Sequence, residues 1–125
     1  MIMTITSTPS RTAVPRVGGM AAAWAAIESL WRTLAAEVGS KGIRVVCLRP
    51  GAIPETPQIQ EVFGIHAESS DTRPEEFQAR SEERTLLGKL PTLAEVANVA
   101  AFVASDQSSP MTGTVVNLSG GSIVE

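Results

Sequence analysis

The passage LAAEVGSKGIRVVCLRPG, residues 34–51, decides the fold. Residues 43–48 (IRVVCL) form a near-continuous apolar run of strand length, rich in β-branched side chains, that ends in Arg49-Pro50-Gly51. A run without polar alternation reads as a strand covered on both faces, as in parallel sheets. The start of the same passage closes a helical pattern. Met20, Trp24, Ile27, Trp31, Leu34 and Val38 recur at steps of four and three, which places them on one stripe of a helix over residues 20–38. Glu28, Ser29, Arg32 and Thr33 lie off that stripe, and Gly39 with the Ser40-Lys41-Gly42 that follows supplies the stop. Alanines fill much of the remainder, which favours helix and leaves a surface on which another helix can approach closely.

Working outward, residues 1–7 are short and β-prone, and Thr8, Pro9 and Ser10 end them as a turn. A polar loop follows and closes at Gly18-Gly19. Beyond the central strand, Pro54 and Pro57 keep the chain extended or turned. Residues 61–83 carry seven carboxylates with Arg73 and Arg80 among few large apolar groups. They read as a mobile charged insertion over residues 57–85, with a helix near 74–84 and a solvated acidic face. Residues 92–105 form a second amphipathic helix, in which Thr92 and Glu95 have the spacing of a capping box. Residues 115–118 are a last short strand, entered through Thr112-Gly113 and left through Gly120-Gly121. Strands that alternate with helices predict an α/β fold, a parallel sheet with helical crossovers.

Composition narrows the function. The 125 residues make one domain of ordinary size, 43% hydrophobic and 18% charged, with a net charge of −3. Ten basic residues are scattered without a cluster, which argues against nucleic acid as a partner. Charged residues break every apolar stretch before it reaches membrane-spanning length, and the N-terminus lacks the features of a secretory signal. One Cys and one His cannot build a zinc cluster or a disulfide framework, so no metal site and a reducing cytoplasm are expected. Tyr is absent altogether.

The helix-to-strand passage of residues 34–51, together with LLGKLPTLAEVANVAAFVASDQSSPMTGTVVNLSGG at residues 86–121, resembles the C-terminal half of the short-chain dehydrogenase/reductase family. The resemblance covers nearly the whole chain. It implies a partial Rossmann-like parallel sheet, the last three strands with their crossover helices, and oxidoreductase chemistry with NAD or NADP on a small-molecule substrate. The N-terminal nucleotide-binding half, with its glycine-rich turn, is absent from these residues, so canonical dinucleotide binding by them alone is not expected. In the family the long helix packs against its twin in another subunit, which implies a homo-oligomer formed through residues 20–38.

The family's active site has a serine, a tyrosine thirteen residues later and a lysine four beyond that. Carried onto this chain, the serine position is Ser7, the tyrosine position is Met20 and the lysine position is Trp24. Met20 has no titratable proton and Trp24 only an indole donor, so the usual proton relay cannot run on them. Ser7 alone matches, and it also suits a plain role as a cap on the turn at Thr8-Pro9. Met20 and Trp24 equally continue the apolar stripe into the core or a subunit contact.

Pro50, Gly51, Ile53 and Thr56 fall where the family's backbone passes the nicotinamide, although Glu55 stands where a threonine is usual. On residues alone, that stretch is a strand-terminating turn. Glu55 and His66 are conceivable substitute acids without visible partners, and His66 reads as a solvated loop residue. The expectation is an oxidoreductase of this family whose 125 residues do not catalyse by themselves. The alternatives are a catalytically silent binding or assembly subunit, or a truncated gene product.

Overall fold

The computed structural model describes residues 1–125. Three strands, β1 (Ile2–Ile5), β2 (Val45–Pro50) and β3 (Thr114–Leu118), form one parallel sheet in the order β1-β2-β3. Ile2 pairs with Val45, and Val46 with Thr114. Four helices accompany them: α1 (Gly19–Val38), α2 (Pro57–Ser69), α3 (Pro74–Glu83) and α4 (Leu93–Ala104). The expected α/β architecture is therefore present, with β2 at its centre and every residue of β2 buried.

The two faces of β2 meet different helices. Val46 and Leu48, both fully buried, pack with Val103 of α4 and are lined by Val99, Ala100 and Val116. Full burial of one such side chain is worth roughly 1.5–3 kcal/mol. Cys47 and Arg49 face the other way: Cys47 Sγ lies 3.4 Å from Thr6 Oγ1, and Arg49 reaches Glu28 of α1.

Arg44, just before β2, fixes α4 from its far end. Its guanidinium donates to the carbonyls of Val103 (3.0 Å) and Ser105 (3.0 Å), the acceptors that a helix C-terminus leaves unpaired. At the other end of α4 the capping box forms as expected: Glu95 N donates to Thr92 Oγ1 (3.1 Å) and Thr92 N to Glu95 Oε2 (2.9 Å). Lys89 bonds the same carboxylate, which is held at about 2 by that contact and by the Thr92 amide.

Several expectations change. The central strand starts and ends two residues later than the apolar run, because Pro50 still pairs with Leu118. The helix stop falls within the expected residues 39–42: α1 ends at Val38, Gly39 stays right-handed at φ −58°, and Gly42 at φ 73° reverses the chain. Pro57 does not keep the chain extended; it occupies the first turn of α2, where its missing N–H costs nothing.

Residues 57–83 thus form two helices, packed through Phe63 and Phe77 with ring centroids 5.5 Å apart. His66 is not a solvated loop residue. It is 9% exposed, lies in α2 and stacks on Phe77 at 5.1 Å with an interplanar angle of 15°. Glu28, expected off the buried stripe, is 3% exposed.

β1 is an edge strand. Its outer side has no neighbour in this sheet, and Met3 (38%) and Ile5 (56%) are exposed. No helix is long and apolar enough to cross a membrane.

Candidate functional site

A cavity of about 600 Å³ opens beyond the carboxyl ends of β1 and β2. Open α/β sheets hold their ligands at that end, where loops leave the strands and polar backbone is free. Ser7 enters from the end of β1, and Met20 and Trp24 from the first turns of α1. Pro50, Gly51, Ile53 and Thr56 enter from the turn after β2. These seven positions, singled out by the family resemblance, therefore line one space, although they are spread over nearly fifty positions of chain. Phe63, His66 and Phe77 of α2 and α3 close its outer wall.

Ser7 has extended backbone (φ −153°, ψ 163°), and its side chain makes no capping hydrogen bond to the turn that follows. The capping role is thereby excluded, and a free hydroxyl faces the cavity. Ser7 is held in place through its neighbours. Thr6 Oγ1 and Ser10 Oγ donate to Glu28 Oε1 at 2.9 and 2.6 Å, on either side of it.

Glu28 also receives Arg49 Nε (2.9 Å) on one oxygen and Arg49 Nη2 (3.0 Å) on the other, a two-pronged ion pair with Arg49 only 2% exposed. Arg49 Nη1 goes on to Glu125 Oε1 at 2.6 Å. Burial pushes the Glu28 carboxyl up, but the bonds from Arg49, Ser10 and Thr6 outweigh it and hold the group below its ordinary range. Burial opposes the charge on Arg49 too, and the bonds to Glu28 and Glu125 raise it overall. Neither Glu28 nor Arg49 lines the cavity, so this buried cluster anchors the residues around Ser7 rather than offering a reactive group to a ligand.

Met20 and Trp24 do not disappear into the core. Met20 is 46% exposed, Trp24 is half-buried, and both line the cavity. Thr56 Oγ1 donates to Ile53 O within the turn at 2.9 Å, and Gly51 N donates across to Leu118 O at the end of β3 at 3.2 Å, so both groups already have partners. Glu55 accepts a hydrogen bond from Leu93 N at the start of α4 and does not line the cavity. As a substitute acid it is misplaced. Ser119 Oγ accepts from Ile123 N at 3.2 Å and secures the final turn.

The amino-acid pattern did not reveal Phe63, Phe77 and Arg84 as cavity residues, nor Glu28–Arg49 as the pair that anchors the neighbours of Ser7. A usable signal existed for Phe63. Ile59, Phe63 and His66 follow helical spacing after Pro57, a pattern masked by the acidic composition around it.

The enoyl-(acyl carrier protein) reductase family model matches residues 1–122. Among curated proteins, the chain is 39% identical over 102 residues to a Bacillus subtilis protein named "Probable 2,4-dienoyl-CoA reductase", covering 81% of this chain and 37% of that one. It is 33% identical over 108 residues to 2-(S)-hydroxypropyl-CoM dehydrogenase 3 of Xanthobacter autotrophicus, covering 86% and 40% respectively. Among solved structures, sorbitol-6-phosphate 2-dehydrogenase SrlD from Erwinia amylovora superposes with a TM-score of 0.92 at 27% identity, covering 99% of this chain and 48% of that one. The chain spans less than half the length of the curated relatives it matches.

Proposed function

The chain belongs to the short-chain dehydrogenase/reductase family, whose C-terminal half it resembles throughout, and from that premise we propose that it is the substrate-holding part of an oxidoreductase and does not by itself transfer hydride. The observation that carries this reading is the meeting of Ser7, Met20 and Trp24 on one cavity. Reduction of a carbonyl leaves an alkoxide that must receive a proton as it forms. A serine hydroxyl can orient the carbonyl oxygen by hydrogen bonding, but a thioether and an indole supply neither a proton of suitable acidity nor a cation to lower one.

A nicotinamide nucleotide, the family's cofactor, would supply the hydride. The residues of this chain do not fit it. Gly51 N is already paired with Leu118 O of β3 and Thr56 Oγ1 with Ile53 O of the turn, and an indole stands where an ammonium would meet a ribose. No glycine-rich turn leads into a helix with the spacing that a pyrophosphate requires. These 125 residues are accordingly not assigned a nucleotide site of their own.

The test is direct. The purified chain is incubated with NADH or NADPH and a panel of ketones, and nucleotide oxidation is followed by absorbance. No turnover above the blank is expected. Turnover that disappears in Ser7→Ala would overturn the reading.

A second reading, a binding or assembly subunit, draws on the exposed apolar groups Met3, Ile5 and Leu30 (57% exposed, on α1). Self-association through α1 makes Leu30→Glu shift the chain to a smaller species in sedimentation. An unchanged species would remove α1 from the contact. A reducing compartment such as the cytoplasm suits the buried free thiol of Cys47.

A further inference from the structure

We propose that the cavity takes an amphiphilic monocarboxylate, with its carboxylate on Arg84 and its hydrocarbon body against Trp24, Phe63 and Phe77. This rests on the reading of the cavity as a substrate site and gives it a ligand class. The decisive observation is a charge imbalance. The chain carries thirteen acidic residues against ten basic ones, and seven of the carboxylates lie on or beside the two outer helices, at Glu61, Glu68, Asp71, Glu75, Glu76, Glu82 and Glu83. Yet none of the residues lining the cavity is acidic, and Arg84 is the one permanent cation among them.

The guanidinium of Arg84 enters none of the ion pairs of the molecule, which join Arg11 and Arg49 to Glu125, Arg49 to Glu28, Arg73 to Glu76 and Lys89 to Glu95. It makes no side-chain hydrogen bond either, although Glu82 and Glu83 adjoin it in sequence; Glu82 instead accepts from Gln78 at 3.0 Å.

An unpaired guanidinium at an apolar cavity selects an anion, and its planar fork matches a carboxylate with two parallel hydrogen bonds. A single cation balances a single negative charge, which favours a carboxylate over a phosphate monoester with nearly two. The rest of the lining sets the body of the ligand. Phe63 and Phe77 meet at 5.5 Å, His66 stacks on Phe77, and Met20, Trp24 and Ile53 complete an apolar surface. The volume of about 600 Å³ lies within the roughly 300–1,000 Å³ of small-molecule sites.

The test titrates the full chain with decanoate, decanol and decyl phosphate below their aggregation limits, following tryptophan fluorescence. Decanoate is expected to bind about tenfold more tightly than decanol. Arg84→Gln is expected to remove that advantage while leaving decanol affinity unchanged. Arg84 is exposed, so the substitution leaves the fold intact, and circular dichroism confirms it. Equal affinity for decanoate and decanol, or an unchanged advantage in Arg84→Gln, overturns the carboxylate assignment and leaves the substrate-site reading standing. Tighter binding of decyl phosphate than of decanoate overturns the monoanion preference. Binding of none of the three overturns the ligand class and the substrate-site reading together, whereas nucleotide-dependent turnover in the absorbance assay would overturn only the latter's claim of catalytic silence.

Discussion

Replacing Glu28 by Ala tests the buried cluster most severely. Glu28 accepts four hydrogen bonds, two from Arg49 and one each from Thr6 and Ser10. The alanine variant leaves Thr6 and Ser10 without their acceptor. It also leaves a 2%-exposed guanidinium with Glu125 as its remaining partner. Arg49 cannot relieve this by losing its proton, since a guanidinium stays charged at any working pH.

Removing one member of a buried ion pair typically costs about 3–5 kcal/mol. With total stabilities of roughly 5–15 kcal/mol for folded proteins, that is a large share. At a urea slope of about 1–3 kcal/mol per molar, the unfolding midpoint falls by on the order of 2 M. Urea unfolding followed by circular dichroism measures this, provided the transition remains two-state. The double variant Glu28→Leu with Arg49→Met removes both charges, and it is expected to be more stable than Glu28→Ala alone. A loss below about 1 kcal/mol in Glu28→Ala, smaller than even a modest buried-charge penalty, would refute the reasoning. So would a double variant less stable than the single one, because either result would mean that the pair is not buried and mutually dependent.

The same carboxylate sets an acid limit. Its folded pKa lies below the ordinary 4.5, so it stabilises the fold above that pH. The contribution is lost as pH falls through the folded value, and Glu28→Gln is expected to flatten that part of a pH titration of stability. Cys47 is fully buried and its thiol is pushed up chiefly by that burial; modification by a disulfide reagent is expected only as fast as the chain unfolds, and rapid labelling in native buffer would contradict this placement. Thr92→Ala removes the cap of α4 and is expected to cost about 1 kcal/mol in thermal or urea melts. Gly121 has φ +87°, and a Cβ there would stand 2.7 Å from the Leu86 side chain; Gly121→Ala is expected to lower the melting temperature by more than Gly39→Ala, where the φ is ordinary and the space is open.

Local signals in the chain anticipate most of the elements. The apolar run before Arg49, the four-and-three stripe of α1 and the Thr92/Glu95 spacing each depend on neighbours within a few residues, and each yields its strand, helix or cap. Long-range partners are another matter. Glu28 sits between Trp24, Trp31 and Ala35 on the inward arc of α1, but a charge there looks like solvent-facing helix until Arg49, 21 positions away, is brought beside it by the sheet. An Arg that continues a strand buried on both faces does hint that a carboxylate must be waiting for it.

For α2, composition outweighed periodicity. Acidic residues and two prolines concealed a helix whose inward face is Phe63, His66 and Ala67. The candidate site was legible only as positions: Ser7, Met20 and Trp24 are fixed by register, whereas Arg84 and Phe77 come from helices whose packing no local pattern specifies.

The sheet also governs how this chain reaches its folded state. Ile2 pairs with Val45, across the whole of α1, and Val46 pairs with Thr114, across three further helices. No strand has a hairpin partner, so each must wait for a distant segment, and loop closure precedes any reward from the sheet. During synthesis, at roughly 5–20 residues per second, β1 and then β2 emerge seconds before β3 exists to cover the second edge of β2. Throughout that interval Val45, Val46, Cys47 and Leu48, which end wholly enclosed, are open to any other strand. Slow, concentration-sensitive refolding is the kinetic signature of such an order of events, and the nascent chain is most exposed to aggregation before its last strand arrives.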